Sequence, residues 1–197
     1  MIGINDGKFI LVAGDVHSSD QAFEKLADMA SDERCIAFIY TGDLDIENYF
    51  ISQCIQCRNF VFMPVQGNCD NRWSWTDVGM DLPPYRTCTF GNLRIFVSHG
   101  HLYWQPSSAG LEDTEFDMVL TGHTHVPDLH MEIIDGKRVV FLNPGSAARP
   151  RGGSRASYAL IRLTDDGSAT AEIRTLGGDD LLSEETVLVD KCPEGND

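Results

Sequence analysis

Three times in the first 70 residues a short apolar run ends at a glycine and a carboxylate or carboxamide. Phe9-Ile10-Leu11-Val12-Ala13 leads into Gly14-Asp15-Val16-His17, Cys35 to Tyr40 into Thr41-Gly42-Asp43-Leu44-Asp45, and Phe60 to Val65 into Gln66-Gly67-Asn68-Cys69-Asp70. Runs without polar alternation suit strands buried on both faces, as in a parallel sheet. The intervening stretches read as helices. Ser18 with Gln21 resembles a capping box, and Ala22, Phe23, Leu26, Ala27 and Ala30 make an apolar face. Between Ile46 and Phe60, the residues Ile46, Tyr49, Phe50, Cys54 and Cys57 recur at helical spacing, which predicts thiols buried on a helix face. Repeated strand-loop-helix units bring their loops to one rim of a sheet, where ligands of open α/β sheets bind. Asp15, Asp43 and Asn68 are therefore expected to be neighbours.

The second half has a different texture. Tyr85 to Phe90 and Leu93 to Val97 read as a hairpin turning at Gly91-Asn92, followed by Ser98-His99-Gly100-His101. A short helical piece near Leu111 to Glu115 precedes the apolar run Phe116 to Leu120, which ends in Thr121-Gly122-His123-Thr124-His125. Two further hairpins are expected, Leu129 to Ile134 with Arg138 to Leu142, and Tyr158 to Leu163 with Thr170 to Leu176 around Asp165-Asp166-Gly167. The whole chain, 1–197, reads as one domain, with an acidic tail from about 178 to 197 that is partly disordered; Thr186 to Val189 could dock as a short strand.

Composition excludes several functions. A net charge of −15 repels a phosphate backbone and argues against an extended nucleic-acid surface. No apolar run approaches the roughly 20 residues of a membrane span, and Met1 to Gly7 lacks a secretory pattern, so a cytoplasmic protein without membrane contact is expected. Six scattered cysteines, with one C-x-x-C, make a weak case for structural zinc.

The strand-end groups are Asp15, His17, Asp43, Asn68, His99, His123 and His125. Hard oxygen mixed with imidazole, and no thiolate among them, suits a pair of transition-metal ions better than a structural zinc. One octahedral ion cannot hold seven ligands and a substrate, whereas two ions sharing a carboxylate can. Surface loop histidines are the alternative for His123 and His125 taken alone.

In this order, D-x-H, G-D, G-N-x-D, H-G-H and G-H-x-H resemble the signature of the calcineurin-like metallophosphoesterases. The resemblance covers about residues 8 to 165 and is strongest to the small bacterial and archaeal phosphodiesterases whose third motif reads G-N-C-D. It implies an α/β (α+β) fold, a four-layer α-β-β-α sandwich of two mixed sheets flanked by helices. It also implies two divalent metal ions, Mn²⁺ first and Ni²⁺, Fe²⁺, Zn²⁺ or Co²⁺ as alternatives. Asp15, His17, Asp43 and His125 would hold one, and Asp43, Asn68, His99 and His123 the other, with Asp43 as bridge. The implied reaction is hydrolysis of a small phosphodiester, with nucleotide-like diesters among the options, by in-line attack of a hydroxide bridging the metals.

Departures from the family pattern bear on substrate. Many relatives have His at the position of Cys69, where it assists the leaving group; a thiol is a poor substitute, which favours diesters over monoesters. Asp70 is expected to hold a ligand or loop in place, and His101 to face the cleft and touch substrate. Trp73, Trp75, Tyr103 and Trp104 could stack on a base, form an interface of a homodimer or higher oligomer, or fill the core. Asn143-Pro144-Gly145-Ser146 is either part of the site or a tight turn. Arg149, Arg151 and Arg155 either contact phosphate or are solvated. A phosphomonoesterase, or a protein-binding scaffold like the retromer subunit of this family, are the alternatives; the complete ligand set weighs against the scaffold.

Overall fold

A computed structural model describes residues 7–58, 60–70, 81–164 and 167–189. Its first sheet has six strands, in the order β11-β10-β9-β1-β2-β3: β1 Phe9–Ala13, β2 Cys35–Tyr40, β3 Phe62–Pro64, β9 Ser157–Leu163, β10 Ala169–Thr175 and β11 Leu181–Val187. The second has five, in the order β4-β5-β6-β8-β7: β4 Tyr85–Phe90, β5 Leu93–Ser98, β6 Met118–Leu120, β7 Pro127–Ile134 and β8 Lys137–Pro144. Both sheets are mixed. In the first, β1, β2 and β3 run parallel while β1-β9, β9-β10 and β10-β11 are antiparallel. The second has a parallel centre, β5-β6-β8, between the expected hairpins β4-β5 and β7-β8, and the third expected hairpin is β9-β10 of the first sheet.

The uninterrupted apolar run of β1 is explained by what lies on its two faces. Ile10 and Val12 join Ala37 and Ile39 of β2 against Ile95, Val97, Met118, Leu120, Val140 and Leu142 of the other sheet. Phe9, Leu11 and Ala13 turn the other way, toward α1 (Asp20–Ala30) and α2 (Asn48–Arg58). Phe23 of α1 is fully buried, with its ring between those of Phe38, Tyr40 and Phe62. The far face of the second sheet carries a smaller cluster of Phe96, Phe116, Val119 and Val139, against which Tyr103, Ala109 and Leu111 pack. Among the described residues the outer layer there consists of the 3-10 turns Pro106–Ala109 and Asp113–Glu115, so the described layers are helix, sheet, sheet and turn.

Several local expectations are corrected. The α1 cap is Ser19, whose hydroxyl accepts from the Ala22 amide at 3.3 Å; Ser18 instead donates to the Asp45 carbonyl at 2.6 Å, which ties two rim loops together. In α2 the buried stripe runs through Ile51 and Cys54, flanked by Phe50 and Ile55, while Tyr49 and Cys57 are exposed. The stripe is rotated by about one residue because the helix meets α1 and β2 through its Phe50-Ile51-Cys54 side. Within the expected tail, residues 181–187 form β11, paired along its length with β10. Tyr103 belongs to the core, packing edge-on against Tyr85, whereas Trp104 is exposed; Trp73 and Trp75 lie outside the described residues. Among the described residues no helix is long and apolar enough to cross a membrane.

Candidate metal centre

The loops after β1, β2, β3, β5 and β6 open on the same rim, and they carry the residues named from the sequence. Asp15 and His17 follow β1, Asp43 follows β2, Asn68 and Asp70 follow β3, His99 and His101 follow β5, and His123 and His125 follow β6. Parallel β1-β2-β3 and β5-β6-β8 point the same ends of their strands at this rim, which is why residues over a hundred positions apart converge.

Two groups of donors meet at Asp43. On one side, His17 Nε2 lies 3.0 Å from His125 Nε2 and 3.6 Å from Asp43 Oδ2, while His125 Nε2 lies 3.4 Å from Asp15 Oδ1. On the other, His99 Nε2 lies 3.4 Å from Asp43 Oδ2 and 3.1 Å from Asn68 Oδ1, which is 2.9 Å from His123 Nδ1. Cys69 also lies close to His17 and Asp43. His101 sits at the second group, its ring edge-on to His99 at 5.2 Å and 6.2 Å from His123.

The backbone is held in costly shapes to achieve this. Asp15, His17, Asp43, His123 and His125 have φ of 54°, 42°, 57°, 70° and 61°. Left-handed backbone at a non-glycine residue costs about 1–3 kcal/mol and survives where surrounding bonds overdetermine it. Those bonds are present. Asp70 accepts the backbone amides of Asp43, Leu44, Asp45 and Gly67 at 2.9, 2.8, 3.1 and 2.8 Å. Ser146 Oγ donates to the Asp15 carbonyl at 2.7 Å, and Asn143 Nδ2 to the Gly122 carbonyl at 2.7 Å. Asn143 and Ser146 thus belong to the support of the site as well as to a turn. Thr41, not singled out from the sequence, accepts from His99 Nδ1 through its carbonyl at 2.7 Å, and the Arg149 carbonyl accepts from His125 Nδ1 at 2.6 Å. Backbone acceptors leave no signature of residue type, so neither was visible in the sequence.

The electrostatics favour ligation. Burial lowers the pKa of His17, His101, His123 and His125, so these imidazoles are neutral near pH 7 and keep a lone pair. With Nδ1 of His125 committed to a carbonyl, its Nε2 presents that lone pair to the centre. Burial would also lower His99, but its bond to Asp43 and the charges of Asp15 and Asp43 raise it. Burial raises Asp15 to about 7; for Asp43 burial is outweighed by the bond and charge of His99, and its pKa falls below the usual carboxylate range. Burial, then the charge of Asp43, pushes the Cys69 thiol up to about 11.

Asp15 Oδ1 is buried and has no hydrogen-bond donor among the described residues. A buried carboxylate oxygen without a donor is expensive, and here its neighbours are Lewis bases that carry lone pairs themselves. Hard oxygens and neutral imidazoles converging in this way fit divalent cations.

Residues 9–166 match the model of one protein family, described as a calcineurin-like phosphoesterase superfamily domain. The chain is 26% identical over 165 residues to the phosphodiesterase YfcE of Escherichia coli, covering 77% of this chain and 86% of that protein. It is 26% identical over 180 residues to the probable metallophosphoesterase YsnB of Bacillus subtilis, covering 87% and 94%. The structure of YfcE superposes with a TM-score of 0.74 at 21% identity, over 91% of this chain and all of that one. Vps29 of Entamoeba histolytica in complex with Zn²⁺ superposes with a TM-score of 0.62 at 24% identity, over 91% and 98%.

Proposed function

The chain belongs to the calcineurin-like phosphoesterase superfamily and is a metal-dependent hydrolase of phosphoester bonds, and we propose that within this class it is a phosphodiesterase with a two-metal centre. The observation that carries the reading is the position of Asp43, whose Oδ2 is 3.6 Å from His17 Nε2 and 3.4 Å from His99 Nε2, one oxygen facing both donor groups. Asp15, His17, Asp43 and His125 hold one ion, and Asp43, Asn68, His99 and His123 the second. Oxygen and imidazole donors accept Mn²⁺, Fe²⁺, Co²⁺, Ni²⁺ or Zn²⁺, with cellular supply choosing among them, and Mn²⁺ is the ion proposed by the resemblance to the family. When bound, the cations draw in phosphate, act as Lewis acids and make water nucleophilic near neutral pH.

The remaining residues hold and orient. Asp70 fixes the Asp43 loop, and the carbonyls of Thr41 and Arg149 select the tautomers of His99 and His125 that turn Nε2 inward. His101, with Nδ1 buried and unpartnered among the described residues, contacts the substrate from the His99–His123 side. Cys69 stays a thiol and donates protons poorly, so a leaving group must depart with little acid assistance. That selects diesters with good leaving groups over monoesters.

The test compares hydrolysis of bis-p-nitrophenyl phosphate and p-nitrophenyl phosphate with Mn²⁺. The diester is expected to react faster by about tenfold or more in kcat/KM. A monoester preference would overturn the diester choice, and metal-independent or absent turnover of both would point to the scaffold reading instead.

A further inference from the structure

The chain has 30 acidic and 15 basic residues, so its arginines have no shortage of carboxylate partners. Of the ten arginines among the described residues, seven form ion pairs; the exceptions are Arg138, Arg149 and Arg151. Arg155, four residues on, is paired with Asp180 at 2.8 Å. Two of the three exceptions therefore stand together, exposed, on one loop.

That loop is fastened to the metal centre. The Arg149 amide donates to Ser146 Oγ at 2.7 Å, the Arg149 carbonyl accepts from His125 Nδ1, and the Arg151 amide donates to the His125 carbonyl at 3.1 Å. The backbone on both sides of Pro150 is thus tied to a proposed ligand. The two charges are near enough to be felt there, Arg149 at His17 and Arg151 at Asp15, His123 and His125. Arg149 and Arg151 have no ion-pair partner among the described residues, and beyond the pull of Asp15 on Arg151 their charges beside a site expected to hold divalent ions favour an anion that joins them. The reacting phosphate is already claimed by the metals. Guanidinium groups offer forked donors that match phosphate oxygens two at a time.

We propose that Arg149 and Arg151 form an anion subsite at the His125 edge of the centre, so that the preferred substrate carries a second phosphate group beside the one hydrolysed. This rests on the phosphodiesterase reading above and narrows its substrate class to diesters with an adjoining phosphate.

The probes are α,β-methylene-ADP, with two phosphates in an uncleavable linkage, and AMP, with one. Their binding to Mn²⁺-loaded protein is measured by calorimetry at equal excess metal, so chelation cancels between variants, and as inhibition of bis-p-nitrophenyl phosphate hydrolysis. Wild type is expected to favour the two-phosphate probe by about tenfold or more. R149Q/R151Q should bring that ratio to within about threefold, R149K/R151K should restore part of it, and R138Q should leave it intact. Both double variants keep the backbone bonds that hold the loop. A ratio near one in wild type, or one unchanged in R149Q/R151Q, overturns the subsite. If wild type fails to hydrolyse the diester yet shows the arginine-dependent ratio by calorimetry, the subsite stands and the enzymatic reading falls.

Discussion

The Asp70 carboxylate accepts the backbone amide of Asp43 at 2.9 Å, and its two oxygens together collect four amides, from Asp43, Leu44, Asp45 and Gly67. One buried side chain thereby holds the loop of the residue that faces both donor groups, with Asp43 kept at a φ of 57°.

Asp70→Asn therefore turns a carboxylate with four inbound donors, two on each oxygen, into an amide whose own N–H₂ must face two of them. The expected cost is about 1–3 kcal/mol of stability. Activity or metal affinity should fall by about 10- to 100-fold, as for other residues that orient a ligand. Unfolding curves and metal titration measure the two effects; a variant with wild-type metal affinity would remove Asp70 from the support of the site.

Gly67 meets the same loop from the other side. A Cβ built there would lie 2.1 Å from Asp43 Oδ1 and 2.2 Å from the Asp43 amide nitrogen. Gly67→Ala must displace Asp43, and it should lose most metal-dependent activity while the remote core stays folded by circular dichroism. Full activity in this variant would show that the loop yields without cost.

Metal binding should also stabilise the fold, because it supplies partners for Asp15 and for the convergent lone pairs. At a metal concentration about a hundredfold above Kd the gain is about 2.7 kcal/mol. For a domain of this size that corresponds to about 2–4 °C in Tm per kcal/mol. Chelator should reverse the shift in wild type and have no effect on a His17→Ala/Asp43→Ala variant. Equal Tm with and without metal would argue against a buried centre.

Away from the site, Glu172 is buried on β10 between Arg162 Nε at 2.9 Å and Arg174 Nε at 2.7 Å. Burial would raise its pKa, but the two guanidinium bonds outweigh it and hold the folded value below 4.5. A depressed folded pKa stabilises above the unfolded value and ceases to do so as pH falls through the folded one. Glu172→Gln is therefore expected to cost about 1.5–3 kcal/mol at pH 7, with the gap to wild type closing below about pH 4.5. Denaturant curves at pH 7 and pH 3.5 read this directly, and a gap that widens in acid would contradict it.

The elements were largely legible in the chain. Phe9–Ala13 and Cys35–Tyr40 are apolar throughout because both of their faces are covered, and Ala22, Phe23, Leu26, Ala27 and Ala30 mark the buried side of α1. The candidate ligands were legible for a related reason: His, Asp and Asn directly after buried strands have few structural uses. Less was visible where geometry rests on one residue of phase, as in α2, where Cys57 proved exposed, or at the α1 cap, where Ser18 and Ser19 compete and only contact with Asp45 distinguishes them.

Sequence alone determined which side chains were available at the rim, since periodicity and loop position follow from local chemistry. Tertiary structure alone decided how they are held and where charge is left over. The carbonyls of Thr41 and Arg149, the left-handed backbone at five candidate ligand positions, and the lack of an ion-pair partner for Arg149 and Arg151 among the described residues, beside a paired Arg155, are relations between distant segments. Backbone acceptors and ion-pair choices are set by three-dimensional neighbours, and every residue type carries the same carbonyl.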